Sequence, residues 1–192
     1  MSRLEVITGP MFSGKSEEMI RRLRRFQYAH MSILVVKPKT DTRQADEIAT
    51  KLLNDQTGEF EKADKFPALN IDNREELANV IISNNYDVLA IDEGQFFDSW
   101  LVEMISHLLH PTDKYLQIFV SGLDMDAWRR PFGIMPQLMA MADHIYKTKA
   151  VCFACGADAL FTQKIGGSGQ QIEVGSGKIY EARCRKCHTL PA

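Results

Sequence analysis

Apolar residues along this 192-residue chain fall into short continuous runs, separated by stretches in which they recur every three or four positions. Residues 4–8 (LEVIT), running into Gly9, have the form of a short buried strand. Over residues 16–28, Met19, Ile20, Leu23 and Phe26 recur at helical spacing with Arg21, Arg22, Arg24 and Arg25 between them. The run ILVV at 33–36 predicts another buried strand, ended by Pro38. An amphipathic helix follows over 73–83, then a strand at 88–91 stopped by two acids. The pattern continues with a helix at 101–109, a strand at 116–120, a helix at 134–141 and a weaker strand at 144–148. Strands alternating with helices over about 150 residues imply a parallel sheet covered on both faces by helices. The arginines at 21–25 read as a solvated or subunit-contact face rather than a nucleic-acid patch.

The composition then shifts. From Val151 onward the chain holds all four cysteines, and five of its twelve glycines (166, 167, 169, 175 and 177) fall within twelve residues. This places a boundary near 150, with an α/β nucleotide-binding domain over 1–150 and a smaller metal-binding unit over 151–192. The 45% hydrophobic content allows a sizeable core, and the net charge of −2 gives no general attraction to nucleic acid or membrane. No apolar run approaches the roughly 20 residues that span a bilayer, and the N-terminus lacks a secretory pattern. A cytoplasmic protein is expected, in which cysteines hold metal more often than they form disulfides.

Two stretches carry phosphate chemistry. Gly9-Pro10-Met11-Phe12-Ser13-Gly14-Lys15-Ser16 matches G-x-x-x-x-G-K-[ST] between a predicted strand and a predicted helix, the setting that the mechanism requires. The glycines let backbone N–H groups turn toward phosphate oxygens, and the helix adds its positive N-terminal end. Lys15 would reach the β- and γ-phosphates of ATP, and the Ser16 hydroxyl would ligate Mg²⁺. The strand at 88–91 ends in Asp92 and Glu93, where Asp92 would hold the metal and Glu93 could take a proton from an attacking hydroxyl or water. That pair alone serves a kinase or a hydrolase equally.

Cys152-x-x-Cys155 and Cys184-x-x-Cys187 account for every cysteine, in the spacing of a tetrahedral zinc site. His188 offers a substitute ligand, but four thiolates suffice. The 28 intervening residues (156–183) exceed a compact zinc ribbon. Zinc would therefore pin the base of a long glycine-rich loop, which predicts a lid closing over a bound substrate.

Taken together, these segments resemble the cytosolic, zinc-containing thymidine kinases over essentially the whole chain. The stretches that carry the resemblance are GPMFSGKS with the arginine-rich helix, IDEGQFF at 91–97, GLDMD…RRPFG at 122–133 and YEARCRKCH at 180–188. The resemblance implies a P-loop, RecA-like sheet with a small zinc-ribbon subdomain carrying a lasso-like lid. It implies transfer of the γ-phosphate of ATP to the 5′-hydroxyl of thymidine, with Glu93 as general base. Gln95, Asp41 and Arg43 would join Asp92 and the phosphate loop around Mg-ATP, with Arg43 near the transfer path. Met11, Phe96, Leu123 and Phe132 would line the base pocket. Thr162 and the backbone of Gln171, Ile172, Glu173, Val174 and Gly175 would bond the pyrimidine, and Tyr180 would pack on the nucleoside. A homotetramer, feedback inhibition by thymidine triphosphate, and no nucleic-acid or membrane partner are also implied.

The sequence departs from the family pattern in places. Ala127 stands where a phenylalanine is usual, with Trp128 beside it, and Lys164 replaces a frequent arginine. The competing expectations are a DNA-dependent ATPase with a zinc ribbon, which a basic groove would favour, and a non-catalytic zinc-ribbon module, which would leave the P-loop and the acidic pair without a role.

Overall fold

The computed structural model describes residues 1–41, 46–53, 60–110, 115–166 and 179–191. The chain opens with β1 (Arg3–Thr8), α1 (Lys15–Tyr28) and β2 (Ile33–Pro38), followed by an antiparallel hairpin of β3 (Glu47–Leu53) and β4 (Phe60–Pro67). Then come β5 (Leu69–Ile71), α2 (Arg74–Ser83), β6 (Val88–Ile91), a 3₁₀ turn at Gly94–Phe96, α3 (Trp100–Leu109) and β7 (Gln117–Gly122). The sheet is completed by β8 (His144–Lys147) after α4 (Met135–Met141). The C-terminal part contains β9 (Ala150–Val151), β10 (Asp158–Ala159), β11 (Phe161–Lys164) and β12 (Tyr180–Arg183).

The six-stranded sheet has the order β5-β2-β6-β7-β1-β8, and every pairing in it is parallel. All residues of β6 and β7 are buried, which is why VLAI in β6 and IFV within β7 read as continuous apolar runs rather than alternating ones. Register places Val36 opposite Ile91, and Val120 opposite both Ile91 and Val6. The carboxyl ends of β1, β2, β6 and β7 therefore lie along one edge, where ligands of open α/β sheets bind.

Each face of the sheet has its own core. On one, Leu4, Val6, Leu34, Val36, Leu89, Ile91, Ile118 and Val120 pack against Leu77 of α2, Leu101 and Ile105 of α3, and Met135 and Leu138 of α4. On the other, Ile7, Val35, Ala90 and Phe119 meet Met19, Ile20 and Leu23 of α1. Each fully buried aliphatic side chain contributes about 1.5–3 kcal/mol relative to exposure. α1 does not cover its face alone, because the β3–β4 hairpin supplies Ile48 and Phe66 to the same core. The sequence pattern held no strand signal there: half of β4 (FEKADKFP) is charged, and the hairpin register shifts between Ala49 and Lys51. Two of the four helix arginines also serve the fold internally. Arg22 pairs with Glu5 and Glu18, and Arg24 pairs with Asp64 and lies over Phe66. Arg21 and Arg25 are exposed. No helix among the described residues is long and apolar enough to cross a membrane.

Candidate active site and cysteine centre

The loop from Gly9 to Gly14 leaves β1 at the carboxyl edge of the sheet and turns into α1. Gly9 (φ +145°) lies so close to Thr148 that a Cβ there would sit 2.5 Å from the threonine hydroxyl, so the turn requires glycine. Thr148, just past β8, donates from its backbone N–H to Thr8 O (2.7 Å) and shares a hydrogen bond with the Ser13 hydroxyl (2.7 Å). Sequence reading missed this buttress, since one threonine carries no pattern. Gly14 (φ +77°) begins α1, and no side chain caps the helix, so its first N–H groups are turned toward the loop. Lys15 donates its ammonium to Pro10 O at 2.7 Å, and Ser16 is half-buried in the first turn.

Lys37 in β2, Asp92 just past β6 and Ser121 in β7 continue the alternation that puts Val35, Ala90 and Phe119 under α1. All three are buried, and Ser121 donates to one Asp92 oxygen. Lys37 pairs with Asp41 at 3.3 Å, each almost wholly buried. Glu93 follows Asp92 in the left-handed region (φ +52°). Gln95 donates to the Glu93 carboxylate, while its own oxygen accepts from Leu123 N–H at 2.9 Å. Within the described geometry Gln95 thus bridges Glu93 to the loop after β7. A Cβ on Gly133 (φ +53°) would fall 2.2 Å from the Gln95 carbonyl oxygen, so that glycine keeps the bridge in place.

The loop after β7 is folded on Asp126, whose carboxylate accepts from the backbone N–H of Trp128 and Arg130, both at 2.9 Å. Phe132 packs edge-on against Phe96 with ring centroids 5.8 Å apart. Ala127 is buried, and the Lys164 ammonium lies 6.0 Å from the centre of the Trp128 ring. Trp128, next to the departure at Ala127, and Lys164, the other departure, are therefore neighbours in space. On the β11–β12 ribbon, Thr162 faces Ala182 and Lys164 faces Tyr180 in register, so the four share one side. The Thr162 hydroxyl accepts from Met11 N–H at 3.0 Å, which turns that side toward the phosphate loop. Arg43 and Gln171, Ile172, Glu173, Val174 and Gly175 lie outside the described residues.

Among the described residues, five that are not glycine have positive φ: Phe12, His30, Asp46, Glu93 and Arg129. Histidine and aspartate enter the left-handed region comparatively readily. Phe12, Glu93 and Arg129 do not, and they belong to the phosphate loop, the acidic pair and the loop after β7. Each such residue costs on the order of 1–3 kcal/mol and persists only where its surroundings over-determine it.

The four cysteine sulfurs lie within 4.8 Å of one another, and Cys155 and Cys184 are 3.7 Å apart. Tetrahedral coordination with Zn–S of about 2.3 Å requires S···S separations of roughly 3.8 Å, so this donor set fits zinc. Two short turns present the sulfurs: Cys155 N–H and Gly156 N–H donate to Cys152 O, and Cys187 N–H and His188 N–H donate to Cys184 O. Burial opposes ionisation of Cys152, yet N–H groups from Cys184, Ala154 and Cys155 bring its thiol down to about 6. The neighbouring sulfurs of Cys155 and Cys184 push Cys187 up to about 12. Four thiolates so close require a cation, which is what the arrangement can hold. His188 is not part of this cluster, because both its ring nitrogens are engaged elsewhere. Burial first, and then Arg129, hold its pKa below the ordinary histidine value.

A parallel sheet whose first strand runs through a G-x-x-x-x-G-K-S loop into a helix, with acids at the end of a central strand, defines an α/β protein of the P-loop class. A family model described as thymidine kinase matches residues 2–188. The chain belongs to the thymidine kinase family and is accordingly a nucleoside kinase enzyme. A protein named thymidine kinase from Mycoplasma mobile is 42% identical over 186 residues, covering 96% of this chain and 86% of the relative. One from Mesomycoplasma hyopneumoniae is 40% identical over 97% of this chain and 95% of its own length. Another from Mycoplasma genitalium is 35% identical over 97% of this chain and 83% of its own length.

Proposed function

We propose that this chain transfers the γ-phosphate of ATP to the 5′-hydroxyl of thymidine, giving thymidine monophosphate and ADP. The observation that carries the reading is a convergence at the carboxyl edge of the sheet. The phosphate loop and the Asp92–Glu93 pair leave neighbouring strand ends there, Gln95 joins Glu93 to the loop after β7, where Phe132 packs on Phe96, and Met11 joins the phosphate loop to Thr162. The family named in the matched relatives supplies the substrate.

In this reading the loop Gly9, Pro10, Met11, Phe12, Ser13 and Gly14 wraps the phosphates of ATP and turns backbone N–H groups toward them, except that Pro10 has none and that of Met11 is held by the Thr162 hydroxyl. Lys15 leaves Pro10 O for the γ-phosphate, where negative charge must be offset during transfer. Ser16 and Asp92 would hold Mg²⁺, whose charge neutralises the transferring group. The Ser121 hydroxyl donates to the Asp92 carboxylate and so helps to orient it. Glu93 takes the proton of the 5′-hydroxyl as the new O–P bond forms and the bond from the γ-phosphorus to the ADP oxygen breaks. Gln95 holds the Glu93 carboxylate, acting through it rather than on ATP. Asp41, paired with Lys37, presents the segment that leads to Arg43, placed near the transfer path. Met11, Leu123, Trp128, Phe96 and Phe132 surround the base.

The cysteine end, counted from residue 151, carries structural zinc and the lid. Tyr180 lands on the nucleoside from its anchored position four residues before Cys184, while Thr162 and the backbone of residues 171–175 bond the pyrimidine edge. Cytoplasmic location, a homotetramer and feedback by thymidine triphosphate complete the proposal. The test is ATP turnover by the zinc-loaded protein with thymidine, with single-stranded DNA, and with neither. Thymidine alone should stimulate ADP formation, with thymidine monophosphate formed in equal amount. Stimulation by DNA instead would favour the ATPase reading and overturn this one.

A further inference from the structure

His188 follows the last cysteine, yet its ring points away from the sulfur cluster. The Arg129 guanidinium donates from Nε to His188 Nδ1 at 3.0 Å and from Nη2 to the His188 carbonyl at 2.9 Å. Arginine has no acceptor, so Nδ1 must be unprotonated and the proton sits on Nε2. Nε2 then donates to Thr162 O at 3.2 Å. The Thr162 hydroxyl in turn accepts from Met11 N–H at 3.0 Å, inside the phosphate loop. Phe161 packs under both ends of this arrangement, 4.7 Å from the Arg129 guanidinium and 5.3 Å from the His188 ring. Arg129 is also one of the strained residues (φ +63°), and the bidentate grip on His188 is a contact that holds it there.

We propose that Arg129 and His188 are positioning residues, which join the loop after β7 to the cysteine end and, through Thr162, fix the Met11 N–H of the phosphate loop. The inference rests on the thymidine kinase reading for its kinetic consequence only. Its structural consequence stands apart from catalysis. Neither residue touches ATP or the reacting oxygen, so both should govern how well the nucleoside end of the loop is set.

Two substitutions separate this role from simple loss of fold. Arg129→Lys keeps the charge but loses the fork that grips ring and carbonyl together. His188→Phe keeps ring volume against Phe161 but removes both nitrogens. Amide hydrogen exchange at Met11 is read in the zinc-loaded protein, alongside zinc content and steady-state kinetics. Exchange at Met11 should quicken about five- to tenfold in each variant, as expected for weakening one hydrogen-bonded link, with one zinc per chain retained. KM for thymidine should rise by a similar factor, while KM for ATP and kcat stay within about twofold. The double variant should be no worse than the more affected single one, because both act through one contact. Unchanged exchange at Met11 in zinc-replete Arg129→Lys, or strictly additive effects, would overturn the proposal. If His188→Phe loses zinc, Arg129→Lys alone decides, since it leaves the cysteine turns untouched. A wild-type protein inactive on thymidine would instead contradict the functional reading, and Met11 exchange would still decide the relay.

Discussion

The sheet edge and the cysteine end meet at Met11 and Thr162, yet they are held by opposite means. The sheet carries two extensive aliphatic cores, with residues such as Leu89, Ile91, Leu101 and Ile118 almost wholly buried. Among the described residues, the buried cluster at the cysteine end is Ala150, Cys152, Ala159, Ala182 and Cys184, with Cys187 against it, and Phe161 and Tyr180 are buried besides. The small side chains of that cluster remove less apolar surface from water than the aliphatic cores of the sheet. Its four sulfurs, already gathered at zinc-compatible spacing, supply the missing stabilisation once metal binds. The contrast teaches that the sheet edge rests on packing, whereas the unit beside it gathers four sulfurs that could draw stabilisation from a metal.

Metal removal should break the comparison most visibly. Structural zinc is worth on the order of 10 kcal/mol in small zinc domains. A strong chelator should therefore unfold residues 151–191, expose the thiols to alkylation and abolish transfer, while far-UV circular dichroism keeps the sheet signal. Simultaneous collapse of both parts would mean that the sheet also depends on the metal.

The reverse experiment is Leu89→Ala in the middle of β6, a fully buried position. Denaturant unfolding should lose about 2–5 kcal/mol, with zinc stoichiometry unchanged. Smaller still is Gly133→Ala, which forces a methyl group toward the Gln95 carbonyl in a left-handed turn. It should destabilise by about 1–3 kcal/mol and lower kcat roughly tenfold, by shifting the carboxamide that holds Glu93. Tyr180→Ala closes the series. KM for thymidine should rise about three- to tenfold, in keeping with loss of aromatic packing, and KM for ATP should hardly move.

What the sequence made legible follows the same divide. β6 and β7 lie wholly inside the sheet, so their apolar runs were unmistakable, and the phosphate loop and cysteine pairs announce themselves by spacing. The β3–β4 hairpin was invisible because charged residues interrupt its sequence, and among its described side chains Ile48 and Phe66 join the core. Gln95 was placed beside ATP by resemblance, whereas its hydrogen bonds join Glu93 to Leu123. His188 looked like a spare metal ligand, and only three-dimensional contact shows it gripped by Arg129. Thr148, Ser121 and Lys37 are single residues brought to the edge by strand register, which no local pattern encodes.

The central proposal is that Glu93, whose carboxylate accepts a hydrogen bond from Gln95, takes the nucleoside proton at an edge that would bind ATP. The most direct measurement follows transfer of a radiolabelled γ-phosphate to thymidine in a single turnover, comparing the native protein with Glu93→Gln. The account predicts label on thymidine monophosphate in the native protein, and a transfer rate lowered about 10²–10⁴-fold in the variant with thymidine still bound. Transfer at an undiminished rate in Glu93→Gln, or a defect confined to thymidine binding, would contradict it.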